Sequence, residues 1–246
     1  MRLSNKSGFT IIETMLFLGV TGLLVVGVLV GTGASISIQR YRDSITSLQS
    51  LLQQQFSDVA NVSNGRNGDW VCDSNGTITE QTVGVGTARG QSDCVVLGRL
   101  ITTTNTSHAI LIRDVVGYVP SSLVLAQNDL DALKQYNIRV SPVSSSSYNV
   151  EWDSSLLKPG GNIPATFSIL ILQSPLSGII RTFIDPATVV VDDDISSLIK
   201  QSALTESAKI CIDPNGIFNG NKMAVLVTAG ASSASGVETL GGNSGC

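Results

Sequence analysis

Residues 8–30 read GFTIIETMLFLGVTGLLVVGVLV, and the fate of this stretch decides the fold. From Thr14 to Gln39 no residue is charged. A helix needs about 20 mostly apolar residues to cross the hydrocarbon core of a bilayer, and this run supplies them. Arg2 and Lys6 are the only charges among the first twelve residues. Basic residues on that side predict a cytoplasmic N-terminus and an external remainder. Glu13 opens the run, where a carboxylate is expensive and seeks a positive partner. A secretory signal shares the basic start and the small residues that follow, here Gly31, Gly33, Ala34 and Ser35. Its apolar core is shorter, about 7–15 residues, and carries no such carboxylate.

The junction is more specific than the run. The leader MRLSNKS followed by G-F-T-I-I-E at 8–13 resembles the class III signal of type IV pilins and the related pseudopilins. In that family a prepilin peptidase cuts after the glycine and methylates the new N-terminus. The resemblance implies a cut between Gly8 and Phe9, a mature chain that begins FTIIE, and an apolar segment that is retained. It implies that Glu13 neutralises the N-terminal amine, here on Phe9, of a neighbour in the growing filament and so sets the axial register. The implied partners are prepilin peptidase, other pilin or pseudopilin subunits and the inner-membrane assembly platform. The implied location is the cytoplasmic membrane in a single pass, N-terminus inside and head outside, and then the pilus or pseudopilus. The resemblance also implies that Glu13→Ala leaves insertion and cleavage intact and impairs incorporation. Glu13 sets the chain apart from the tip pseudopilin that lacks this glutamate.

One departure from the family is visible. Many pilins carry a proline about two-thirds along this helix, and here Gly19, Gly22, Gly27, Gly31 and Gly33 stand instead. A helical glycine costs up to about 1 kcal/mol relative to alanine. Gly27 and Gly31 have the small-xxx-small spacing that lets helices approach closely. Local loosening and close packing both remain open readings.

Outward from the run, the pattern changes without a helix breaker. Ile38, Tyr41, Ile45, Leu48, Leu52, Phe56 and Val59 recur at spacings of three or four, which is one apolar stripe on a helix. Turn formers at 61–68 end it. The expected organisation is a leader at 1–8, a transmembrane or filament-core helix at 9–35, its amphipathic continuation at 36–60, and a β-rich head at 61–246. The fold class is α+β, a long helix docked on a globular head, as in pilins. Strand candidates in the head are 94–103, 109–119, 138–143, 148–152, 166–173, 178–184, 188–191, 208–212 and 223–228, short β-branched runs between turn residues. Ser174–Ser177 reads as a hairpin loop, and Asp213-Pro214-Asn215-Gly216 as a β-turn linking 208–212 to 223–228. Short helices are expected at 128–136, with Asn128 as N-cap, and at 194–202. Ser144–Ser147 and 158–161 read as loops.

Cysteines stand at 72, 94, 211 and 246. An external compartment favours disulfides, and counting alone allows three pairings. Local bracketing favours Cys72–Cys94 and Cys211–Cys246, and the family's C-terminal disulfide loop would then be 211–246. No Cys-x-x-Cys spacing supports zinc. Asp192, Asp193 and Asp194 precede an expected helix, where capping and the helix dipole account for carboxylates. They and Asp213 with Asn215, near Asn219 and Asn221, are also oxygen-rich enough to be considered for calcium, which some pseudopilins bind. The glycines of the second group do not match EF-hand spacing.

Composition closes off other classes. The 246 residues are 42% hydrophobic and 14% charged with a formal charge of −4, which argues against disorder and against a basic nucleic-acid footprint. His108 is the single histidine and has no G-x-S-x-G nearby, so no catalytic residue and no enzyme activity is expected. The glycines at 84, 86 and 90 precede no helix and do not make a phosphate loop. Trp70 and Trp152 are read as packing residues by default. The expected function is that of a structural subunit precursor of a type IV pilus or a type II secretion pseudopilus, of the minor kind because the head is large. Two further classes remain: a membrane-anchored adhesin or binding module, and a secreted enzyme behind an ordinary signal.

Overall fold

The computed structural model of the chain describes residues 10–61, 69–81, 94–104, 106–119, 126–190, 195–200, 206–216, 220–242 and 244–246. Among them one helix, α1, runs from Ile11 to Ala60, 50 residues in all. At 1.5 Å per residue it is about 75 Å long. No proline interrupts it, and it continues unbroken through the point where its apolar residues change from surrounding the helix to lining one side. Tyr41, Ser44, Ile45, Leu48, Leu52, Gln55, Phe56 and Val59 are buried, so the stripe foreseen from spacing is the docked face. Ile38, at its start, is half-buried.

The head is built on two larger antiparallel sheets. In chain order the first strands are β1 (Asp69–Cys72), β2 (Ile78–Gln81), β3 (Cys94–Thr103) and β4 (Ala109–Tyr118). Helix α2 (Asp129–Gln135) and strand β5 (Asn137–Asn149) follow. Next come β6 (Ser155–Leu157), β7 (Ser168–Gln173), β8 (Ile180–Asp185) and helix α3 (Ile195–Lys200). Strands β9 (Ala208–Asp213), β10 (Met223–Val227) and β11 (Val237–Leu240) end the order. One sheet has the order β5-β4-β3-β7-β8 and the other β11-β10-β9-β6, while β1 and β2 form a separate pair.

Strands β3, β4, β7 and β8 of the five-stranded sheet are mostly buried on both faces, which explains their nearly continuous apolar sequences. Ile101, Ile110, Ile112, Ile169 and Ile171 share a core with α1 and with Ile210, Ile212, Val225, Val227 and Val237 of the smaller sheet. The alternate residues Leu100, Val115, Leu170 and Leu172 point the other way, into a core with Leu133 of α2 and Ile195, Leu198 and Ile199 of α3. Alternation along a strand sends neighbours to opposite faces, so both faces here demand apolar side chains. Gly98 sits at a register shift in β3, where an added Cβ would lie 1.9 Å from the Ile171 carbonyl oxygen. No other residue fits that close approach of strands.

The structure corrects several expectations. Ser144–Ser147 lies inside β5, paired with β4 through Arg113–Ser145, Ile112–Ser146 and Leu111–Ser147. A serine run has little β preference of its own, and the neighbouring strand supplies the hydrogen bonds that fix it. The stretch 148–152 is therefore the end of that strand followed by a 3-10 turn at Glu151–Asp153. The part of 188–191 that is described, Thr188–Val190, forms no strand. The Asp185 carboxylate accepts the Ala187 and Thr188 backbone N–H groups and turns the chain there instead. Strands β1, β2, β6 and β11 were not foreseen, since each is four residues or fewer.

Candidate functional site

The first surface of interest is the start of α1. Thr10 is its N-cap, with Oγ1 accepting the Glu13 backbone N–H at 3.3 Å. The Glu13 carboxylate reaches back to accept the Thr10 backbone N–H at 3.1 Å and the Thr10 hydroxyl at 3.2 Å. This is a capping box, two open donors at a helix start satisfied reciprocally. Glu13 is thus more than a charge seeking a cation. The signal for the cap was present as Thr-x-x-Glu directly before an apolar run. A carboxylate that accepts two local hydrogen bonds carries part of its desolvation cost before any partner arrives.

Beyond the cap, the apolar residues from Ile11 to Ile36 are exposed among the described residues. Leu16, Phe17, Leu23 and Leu29 are each more than 60% exposed. The helix is long and apolar enough to cross a membrane, and its most apolar window has no buried residue. The five glycines of this half meet no atom within 4 Å of where a Cβ would stand. No described residue therefore requires them.

The second surface is the junction of α1 with the head, which is polar as well as apolar. The Tyr41 hydroxyl is buried between β9 and β10, donating to the Ile212 carbonyl at 2.9 Å and accepting the Met223 N–H at 2.6 Å. Ile212 and Met223 face each other in the ladder, so one phenol bridges the two strands. Burial pushes the Tyr41 phenol above its ordinary range, with the Met223 N–H pulling the other way and the Asp213 charge adding to the rise. Higher on α1, Arg99 of β3 donates to Gln55 Oε1 at 2.6 Å and Asp58 Oδ2 at 2.7 Å, and its Nε lies 3.3 Å from Asp114 Oδ1. Gln49 and Gln53 both donate to the Val237 carbonyl at the start of β11. The helix is thereby tied to both sheets.

The remaining candidate residues fall into separate places. Cys72 is bonded to Cys94 and Cys211 to Cys246, with Cα–Cα distances of 5.9 and 5.7 Å. The second bridge fastens the tail after β11 to the strand β9 that Tyr41 grips. Asp213 Oδ1 accepts the Asn215 N–H at 2.9 Å, and Oδ2 takes the Lys222 ammonium at 2.6 Å. Burial works to raise the Asp213 carboxyl, but Lys222 and the Asn215 N–H outweigh it and hold the group below the usual carboxylate range. The Asn215 amide donates to the Asp153 carbonyl and Ser155 Oγ. Asp213 and Asn215 thus do not converge on an open oxygen cage, because an ammonium already occupies the cation's place. Among the described residues no group of three His, Cys, Asp or Glu could hold a metal ion. His108 uses Nδ1 on the Ser154 carbonyl at 3.0 Å. Gly8 and Phe9, Asp192, Asp193 and Asp194, Asn219, and the glycines at 84, 86 and 90 lie outside the described residues.

No family model, no curated protein and no solved structure matches the chain. The functional reading therefore rests on the geometry above and on the residues of the N-terminal junction.

Proposed function

We propose that the chain is the precursor of a structural subunit of a type IV pilus or type II secretion pseudopilus. The observation that carries this reading is the helix α1. One half is apolar and bare on every side, and the same helix runs on without a break into a stripe built into a β-rich head. A bare apolar half must be covered by lipid before assembly and by identical or related helices afterwards, since water does not tolerate that much exposed apolar surface. The five glycines, which meet no described residue, suit close approach by such neighbours. In this reading the N-terminus lies inside and the head outside, and prepilin peptidase cuts between Gly8 and Phe9. Glu13 then pairs with the Phe9 amine of a neighbour.

The test is the mass of the mature N-terminal peptide from membranes of the producing cell. N-methylated Phe9 is expected. An unprocessed Met1 would leave a plain membrane anchor, as for an adhesin, and a start near residue 34 would mean a secreted protein behind an ordinary signal. Either would overturn the reading.

A further inference from the structure

The 3-10 turn after β5 carries a side chain that the packing of the head does not use. Trp152 is 45% exposed. Its backbone lies in the left-handed region, φ 57° and ψ 37°, and Asp153 follows at φ 54°. Bulky residues avoid that region, and such conformations persist only where the surroundings impose them. The surroundings here are explicit. The Val150 N–H donates to the His108 carbonyl at 2.8 Å, and the Ser154 N–H to the Glu151 carbonyl at 3.2 Å. Ser154 Oγ donates to Ser44 Oγ of α1 at 3.3 Å, and Asn215 Nδ2 to the Asp153 carbonyl at 2.5 Å. These contacts hold the indole outside the core and against Arg40, whose guanidinium carbon lies 4.8 Å from the ring centroid.

The height of this pair along α1 gives it a meaning. Ile36 is the last strongly exposed apolar residue of the helix. Arg40 lies about 6 Å further at 1.5 Å per residue. Helical side chains lean toward the N-terminus, which brings the guanidinium and the ring closer still to the end of the apolar half. The polar layer of a bilayer is about 5–7 Å thick on each face, from the difference between total and hydrocarbon thickness. Tryptophan concentrates there because its ring is apolar and its N–H polar. We propose that Trp152, with Arg40, is a foot by which the head rests in the headgroup layer, a second membrane contact beside the span. This rests on the reading of 9–35 as a membrane span. Near Arg40 and Trp152 in the sequence, Arg42, Asp43, Glu151 and Asp153 are exposed and carry both signs. The contact therefore needs no anionic lipid.

The experiment uses the full chain reconstituted in phosphatidylcholine vesicles whose acyl chains carry bromine just below the headgroup. In the Trp70→Phe chain only Trp152 emits, and the brominated lipid is expected to remove most of that emission. In the Trp152→Phe chain, compared with the unsubstituted one, the lipid-quenched part of the emission is expected to vanish, which also serves if Trp70→Phe does not fold. A chain that floats with the vesicles while Trp152 ignores the brominated lipid and is quenched by aqueous acrylamide would overturn the foot and leave the span standing. A chain that does not float with the vesicles would overturn both.

Discussion

Tyr41 joins the two halves of the molecule through one hydroxyl. Spacing marked it as part of an apolar stripe, and nothing in the sequence distinguished it from Leu48 or Phe56. What distinguishes it is the pair of backbone groups from residues more than 170 positions away that meet at its oxygen. Tyr41→Phe keeps the ring and leaves the Ile212 carbonyl and Met223 N–H without that partner. We expect a loss of about 1–3 kcal/mol, the cost of an unsatisfied buried polar group, measured by urea unfolding in detergent. The raised phenol also predicts a pH dependence. The folded chain holds this proton more tightly than the unfolded chain, so its contribution is complete below about pH 10 and is lost as pH rises through the folded value. Tyr41→Phe should therefore lose less stability than the unsubstituted chain between neutral and strongly alkaline pH. An unchanged alkaline limb would remove Tyr41 from that account. Asp213 runs in the opposite direction, since its depressed carboxyl stabilises above the unfolded value and ceases to do so as pH falls through the folded one.

Among the elements, α1 was the most legible. An apolar run without charge, followed by residues at spacings of three and four, has one physical solution, a helix that changes environment along its length. Strand β3 was legible too, since its apolar β-branched run has the predicted bounds of 94–103. Strand β5 was not, because its serines take their conformation from β4 rather than from their own preference. At the start of α1 the charge of Glu13 is plain from its type while its cap depends on Thr10 three residues before, and the two roles separate experimentally. Glutamine at this position preserves a capping box but carries no charge. Under the proposed function, Glu13→Gln should insert and be processed normally, yet fail to enter filaments when expressed beside the other subunits. Incorporation equal to the unsubstituted chain would reduce Glu13 to a helix cap.

At the scale of the molecule, the smaller sheet is held from two sides. Helix α1 covers one face through Tyr41, Gln49 and Gln53, while the tail returns to β9 through Cys211–Cys246. Ser244 adds a hydroxyl bond to the Lys222 carbonyl at 3.1 Å, and its own carbonyl accepts the Lys209 ammonium. The bridge closes a segment of 35 residues, for which loop closure corresponds to about 3–4 kcal/mol. Cys246→Ser should lower the stability of the head by about that amount, with the urea midpoint as the measurement. A shift much smaller than this would mean that the hydrogen bonds of Ser244 hold the tail without the bridge.

The sequence by itself determined the long helix, its apolar first half, its docking stripe and a β-rich head, because periodicity and hydrophobicity are local properties of the chain. It also carried the Thr-x-x-Glu signal of the helix cap, whose partners lie three residues apart. Only the tertiary structure decided the strand order, the β conformation of Ser144–Ser147, the clamp of Arg99 on Gln55 and Asp58, the bridge made by Tyr41, and the exposed pose of Trp152 against Arg40. Each of these depends on groups far apart in sequence that meet only when the strands pair and α1 docks on them, and no local preference encodes such a meeting.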